Sequence, residues 1–149
     1  MNPARTSAKR VVADVMRRDV VTISPTASIR DLAALLSRHG VSGVPVVDAG
    51  GRLVGMVSST NILWLLDRLG ARPLSGAELF AGPMLDEKLV RDIMTPDVFG
   101  LASTTPIGEL LDFFIRTGVH RAAVVDGSAL SGIVSLSDVL GLMIAEAPG

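Results

Sequence analysis

The sequence predicts an α+β fold with α/β-like alternation: two β-α-β-β-α units in tandem, packed with pseudo-twofold symmetry. Three observations predict it. The first is self-similarity at a fixed spacing. Asp14-Val15-Met16 and Asp19-Val20 return 78 positions later as Asp92-Ile93-Met94 and Asp97-Val98. The same shift carries Ile29-x-x-Leu32 onto Ile107-x-x-Leu110, Gly40-Val41 onto Gly118-Val119, and Val46-Val47-Asp48 onto Val124-Val125-Asp126. The second is where the spacing changes: Gly55-Met56-Val57-Ser58 falls on Gly132-Ile133-Val134-Ser135 with a shift of 77, one residue lost in a turn, where deletions are tolerated. The third is that both copies run through the same succession of apolar periodicities.

Each copy opens on a short β segment, Val20 to Ile23 or Val98 to Leu101. A helix follows with apolar residues at i, i+3, i+4 and i+7: Ile29, Leu32, Ala33 and Leu36, or Ile107, Leu110, Leu111 and Phe114. Gly40 and Gly118 end these helices as C-terminal caps. Two hairpins come next, Val44 to Val47 with Leu53 to Val57 and Ala122 to Val125 with Leu130 to Val134. Closing helices start at Thr60 and Ser137. The copies span residues 11–67 and 88–145, after a flexible, partly disordered lead-in at 1–10. Between them, 68–87 is a linker punctuated by Gly70, Pro73, Gly76, Gly82 and Pro83, with room for a short helix around Ala77 to Phe80. Units of roughly 55 residues are marginal alone, so each must bury the other's sheet face.

Composition narrows the functions. The absence of cysteine excludes disulfides, thiolate metal sites and cysteine nucleophiles, and fits a reducing, cytoplasmic setting. A hydrophobic fraction of 48% and mean hydropathy of +0.48 raise the question of a membrane. The apolar runs are nevertheless broken by Asp48, Arg52 and Asn61, and by Arg121, Asp126 and Asp138, well short of the ~20 residues a span needs. Nor does the lead-in carry the apolar stretch of a secretory signal. A net charge of −1 with 3% aromatic residues and no tyrosine argues against nucleic acid as the main ligand. Leu35 and the equivalent Phe113 lie off the main stripes, and Trp64, Leu65, Leu66, Leu142, Met143 and Ile144 crowd the closing helices. Such surplus apolar surface predicts a homodimer through helix faces, against the simpler reading of a thicker monomer core.

The motif with the most chemistry is an apolar strand leading through Gly, two apolar residues and Ser-x-Ser/Thr-Asp/Asn into a helix. It occurs as Gly132-Ile133-Val134-Ser135-Leu136-Ser137-Asp138 and as Gly55-Met56-Val57-Ser58-Ser59-Thr60-Asn61. A helix starting there offers free N–H groups to an anion such as phosphate. A first-turn carboxylate can accept from both hydroxyls of a ribose. Ser135-x-x-Asp138 reads equally as an ordinary N-cap with its acidic partner. His120-Arg121 precede a strand beside this terminus and can act either as a phosphate clamp or as a solvated strand end. His39 sits near a helix C-terminus, where a histidine complements the dipole. No phosphate-binding Gly-x-x-x-x-Gly-Lys loop, His-Glu-x-x-His pair or Gly-x-Ser-x-Gly elbow is present, so an enzyme is not expected.

Asp14-Val15-Met16, Val41-Ser42-Gly43-Val44-Pro45-Val46-Val47-Asp48 and the Gly55 and Gly132 motifs resemble the CBS domain, named for cystathionine beta-synthase. The pair resembles a Bateman module. Val119-His120-Arg121, Val124-Val125-Asp126 and the Gly132 motif are similar to the last CBS repeat of the AMP-activated protein kinase gamma subunit. The resemblance implies a ligand cleft between the repeats and an adenine nucleotide, AMP, ADP or ATP, as ligand, with no catalytic cofactor. It implies adenine against Met16, Val21, Val41, Ser42 and Ile133, ribose on Asp138, and phosphates at Ser135, Ser137, His120 and Arg121. A mirror-related site would use Ser58, Thr60, Asn61, Met94 and Val119. There Asn61 replaces the acid and Gly43 replaces Arg121, which predicts a weaker or empty second site.

The function expected is therefore a regulatory nucleotide sensor that signals occupancy to a partner whose identity the sequence leaves open. The alternatives are an interaction scaffold with vestigial clefts and a sensor of S-adenosylmethionine, whose cationic sulfonium fits poorly beside His120 and Arg121.

Overall fold

The computed structural model describes residues 10–68, 84–96, 98 and 100–146, and these divide into two units. One unit is the continuous stretch Val21–Val98; the other joins the chain before Val21 to the chain after Val98.

In the continuous unit, helix α1 (Ile29–His39) starts at Ser28, whose hydroxyl oxygen accepts from the Asp31 N–H at 3.0 Å, and ends at Gly40 with φ 62°. That left-handed conformation carries no penalty for glycine, which is why the helix stops there. The hairpin β1 (Gly43–Val47) and β2 (Leu53–Ser58) is antiparallel with Val44 opposite Val57. Its turn is fixed by Asp48 Oδ1, which accepts from the Gly50 and Arg52 N–H groups at 2.9 and 3.0 Å. Helix α2 (Ser59–Arg68) follows, then α3 (Met84–Glu87), α4 (Val90–Ile93) and β3 (Thr95–Pro96), which pairs antiparallel with β2. Ile23, Ile29, Leu32, Leu36, Val44, Val46, Val57, Leu65, Val90 and Ile93 form its core.

The second unit repeats the plan. Strand β4 (Gly100–Leu101) runs parallel to β5 (Arg121–Asp126), and β5 is antiparallel to β6 (Ala129–Ser135). Helix α5 (Ile107–Thr117) ends at Gly118 with φ 72°, and α6 (Leu136–Glu146) closes the unit. The segment before Val21 completes it. A 3-10 turn at Val12–Asp14 buries Val12 fully, and Arg17 bridges antiparallel to Ile133. The core gathers Val12, Met16, Leu101, Ile107, Leu110, Phe114, Ala122, Val124, Val134 and Val139.

Sequence repeat and compact unit are thus offset. The leading segment of the first copy packs in the unit of the second copy's hairpin, and Val90–Ile93 with Thr95 packs against the first copy's hairpin. The physical reason is the exposed edge of each second hairpin strand: Arg17 meets Ile133 as Thr95 meets Met56, and each pairing satisfies backbone groups that would otherwise be open.

Several local expectations change. The segment Val20 to Ile23 forms no strand and reduces to one parallel bridge, Ile23 to Val46, while the Val98 to Leu101 segment shortens to β4. The closing helices begin at Ser59 and Leu136, one residue early. Ala33 is exposed and Leu35 is half-buried against the core, whereas Leu111 and Phe113 both pack on it. These positions flank the buried stripe on either side, and only a long side chain reaches back to the sheet. Leu65 belongs to the core rather than to a surplus surface. Arg30 Nε donates to Asp86 Oδ1 at 2.8 Å and ties α3 to α1. The lead-in at 1–9 and the short helix expected around Ala77 to Phe80 lie outside the described residues.

Candidate functional site

The site is built on the end of β6 and the start of α6, with the segment Met16-Arg17 laid across it. Arg17 N–H donates to the Ile133 carbonyl at 2.8 Å and Ile133 N–H donates to the Arg17 carbonyl at 2.9 Å. Beneath this pair Gly132 is forced to be small. A β-carbon there would stand 2.6 Å from the Arg17 carbonyl oxygen and 3.0 Å from Met16 Sδ.

Asp138 is held by two partners from different parts of the chain. Its Oδ2 accepts from the Ser135 N–H at 2.9 Å, and Ser135 Oγ accepts from the Asp138 N–H at 3.2 Å. This reciprocal cap fixes the carboxylate in the first turn of α6. Oδ1 accepts from Arg17 Nε at 3.2 Å; the Asp138 side chain is 11% exposed and that of Arg17 77% exposed. The capping reading of Ser135 and Asp138 is therefore realised, with only Oδ1 directed outside the cap. Arg121 lies opposite Ser135 in the β5–β6 register, and the His120 carbonyl accepts from the Leu136 N–H at 2.8 Å. The His120 and Arg121 side chains are exposed, as is Ser137.

Of the residues expected around one ligand, this unit brings together Met16, His120, Arg121, Ile133, Ser135, Ser137 and Asp138; Val21, Val41 and Ser42 belong to the other unit. The second set divides similarly, with Ser58, Thr60, Asn61 and Met94 in the continuous unit and Val119 outside it. Asn61 is 8% exposed, and its Oδ1 accepts from both the Ser58 N–H at 2.8 Å and the Ser58 hydroxyl at 2.9 Å. Its one carbonyl oxygen is committed to the cap. Gly43 has a packing cause as well: a β-carbon there would lie 3.2 Å from the Val57 carbonyl oxygen. Arg17 was not foreseen from the sequence. The signal was nonetheless present, since the 78-residue shift places Thr95 where the first copy has Arg17. Among the described residues no group of three or more His, Asp or Glu could hold a metal ion.

Two tandem hairpin-and-helix halves, each with its capped strand-to-helix junction under a crossing segment, define a paired small α+β repeat. The CBS domain model matches residues 12–68 and 90–145, and the chain belongs to the CBS domain family. It is 28% identical over 133 residues to the 5'-AMP-activated protein kinase subunit gamma-3 of Sus scrofa, covering 89% of this chain and 25% of that one. Its fold matches the CBS domain of a CBS domain-containing membrane protein from Sphaerobacter thermophilus at TM-score 0.75 and 25% identity, covering 94% and 91% of the two chains. CBSX2 from Arabidopsis thaliana has been solved in complex with AMP; this structure matches at TM-score 0.72 and 29% identity, over 91% and 96% of the chains. The chain spans 22–61% of the length of four curated relatives that it matches. No described helix is long and apolar enough to cross a membrane.

Proposed function

We propose that this chain is a regulatory module that binds an adenine nucleotide, AMP, ADP or ATP, and signals its occupancy to a protein partner without catalysing a reaction. The observation that carries the reading is Asp138: a carboxylate fixed in the first turn of α6, one oxygen in the cap and the other turned outward. A ribose hydroxyl is a suitable donor to that outward oxygen, and the neighbouring N–H groups and dipole of α6 suit phosphate. Ser135, Ser137, His120 and Arg121 would serve the phosphates, with Met16 and Ile133 among the apolar contacts of the base. The complex of CBSX2 with AMP supports the same class of ligand, as does the likeness to an AMP-activated kinase subunit. Signalling requires only that nucleotide bind one of two conformations more tightly than the other. A cytoplasmic homodimer is part of the proposal, supported by the lack of cysteine and by the exposure of Trp64, Met143 and Ile144 at 61%, 55% and 77%.

Calorimetry with a panel of adenosine compounds tests the reading: saturable heat with AMP, ADP or ATP is expected, and no heat or thermal shift at millimolar concentration with any of them overturns it. A second reading, an interaction scaffold, is favoured by one observation, that both Asp138 oxygens are satisfied within the chain. It requires Asp138→Ala to capture protein partners as well as the parent does. S-adenosylmethionine is the less suitable ligand, since its sulfonium would face Arg17 as well as His120 and Arg121.

A further inference from the structure

We propose that Arg17 is a built-in competitor for Asp138 and that it biases the site toward phosphorylated nucleosides over neutral ones; this rests on the adenine-nucleotide reading above. The outward oxygen of Asp138, the one a ribose would need, is taken by Arg17 Nε. Three features make that occupancy exchangeable. At 3.2 Å the contact is longer than the 2.7–2.9 Å of a strong charge-assisted bond, and the guanidinium belongs to a side chain 77% exposed. The Asp138 cap uses the other oxygen, so Oδ1 can change partners without disturbing the start of α6. The Arg17 backbone is meanwhile pinned to Ile133 by two hydrogen bonds, so a displaced guanidinium swings on a fixed base and stays at the site.

Displacement has a different outcome for different ligands. A neutral nucleoside that takes Oδ1 leaves the guanidinium without its carboxylate and supplies no anion in return. A nucleotide brings phosphate oxygens that match the guanidinium fork. Arg17 therefore opposes adenosine and tolerates or assists AMP. The device is one-sided, because the equivalent position in the other copy is Thr95 and the equivalent acid is Asn61.

The test is calorimetric titration of AMP and adenosine into the parent and Arg17→Gln proteins, with the Arg17 Nε–H resonance followed by NMR. Exposed ion pairs set the scale at roughly two- to fivefold in an equilibrium constant. Arg17→Gln is expected to bind adenosine about that much more tightly and AMP no more tightly, so that the preference for AMP falls by about twofold or more. The Nε–H resonance is expected to shift when AMP is added to the parent protein, and to differ between the parent and Asp138→Asn without ligand. Equal changes for the two ligands, or an Nε–H resonance unaffected by Asp138→Asn, overturn the proposal. A parent protein that binds neither ligand, with Nε–H still responding to Asp138→Asn, overturns the nucleotide reading and this role with it, leaving a structural pair.

Discussion

Met16 lies directly over Gly132, its Sδ 3.0 Å from where a β-carbon would project, with the Arg17 carbonyl oxygen at 2.6 Å on the same side. A methyl group at 132 must push against backbone that is hydrogen-bonded to Ile133 and cannot retreat cheaply. Gly132→Ala is expected to lower stability by about 1–3 kcal/mol, the range for overpacking. Gly141→Ala, in the interior of α6 with no atom within 4 Å of the added carbon, is expected to raise it by about 0.5–1 kcal/mol. Urea midpoints of the two variants, measured side by side, check both signs.

Asp138 and Asn61 occupy equivalent places and should fail differently. Asp138→Asn keeps an acceptor for the Ser135 N–H but removes the charge, so nucleotide affinity is expected to fall about tenfold with a small change in stability. Asn61→Ala leaves the half-buried Ser58 N–H and hydroxyl without their shared acceptor. It is expected to destabilise by about 1–3 kcal/mol and to leave the affinity at Asp138 within twofold. Calorimetry and chemical denaturation on both variants read this crossed pattern; a matching loss of affinity in both proteins would count against the asymmetry.

Leu32 and Leu110 are fully buried, one in the core of each unit. Leu32→Ala and Leu110→Ala are each expected to cost about 2–5 kcal/mol through lost burial and the cavity left behind. Ile115, 81% exposed on α5, should tolerate alanine within about 0.5 kcal/mol. Thermal melts rank the three.

Asp126 supplies a pH dependence. Hydrogen bonds from the Ser131 hydroxyl and from the Ser103 N–H and hydroxyl, with Arg18 nearby, hold its carboxyl below the usual carboxylate range. A folded-state value below the unfolded one means a contribution that is present above the unfolded pKa and fades as pH falls through the folded one. The stability gap between the parent and Asp126→Asn is therefore expected to be largest near neutrality and to close on acidification. Urea titrations at pH 7 and pH 3 measure it; a gap that widens in acid contradicts the assignment.

Much of the architecture was legible because it is written in local patterns. The unbroken apolar run Val44 to Val47 and the 3.6-residue spacing of Ile29, Leu32 and Leu36 report burial on the elements that carry them. Gly40 and Gly118 mark their helix ends by a backbone conformation other residues avoid. The offset of the leading segments was not legible. Arg17 and Ile133 are more than a hundred residues apart, and no local periodicity records which hairpin edge a short extended segment will choose. The same holds for the candidate site: Ser135 and Asp138 are three residues apart and announce a cap, while Arg17 arrives from across the chain. Comparing the copies position by position flags it without singling it out, because arginine against threonine at 17 and 95 is one of several changes of chemistry between them, beside Gly43 against Arg121 and Asn61 against Asp138.

The offset leading segments also set an order of assembly. The unit Val21–Val98 is one uninterrupted stretch and can close as soon as its own residues have been synthesised. Val12 and Met16 have no such opportunity, because the residues that bury them, Leu101 to Val139, are made after the whole of that unit. Until then these apolar side chains must wait in solvent on the ribosome. A nascent chain arrested shortly after Val98 emerges should resist protease across its hairpin and still be cut before Val21, and the early cut should vanish only once α6 is complete.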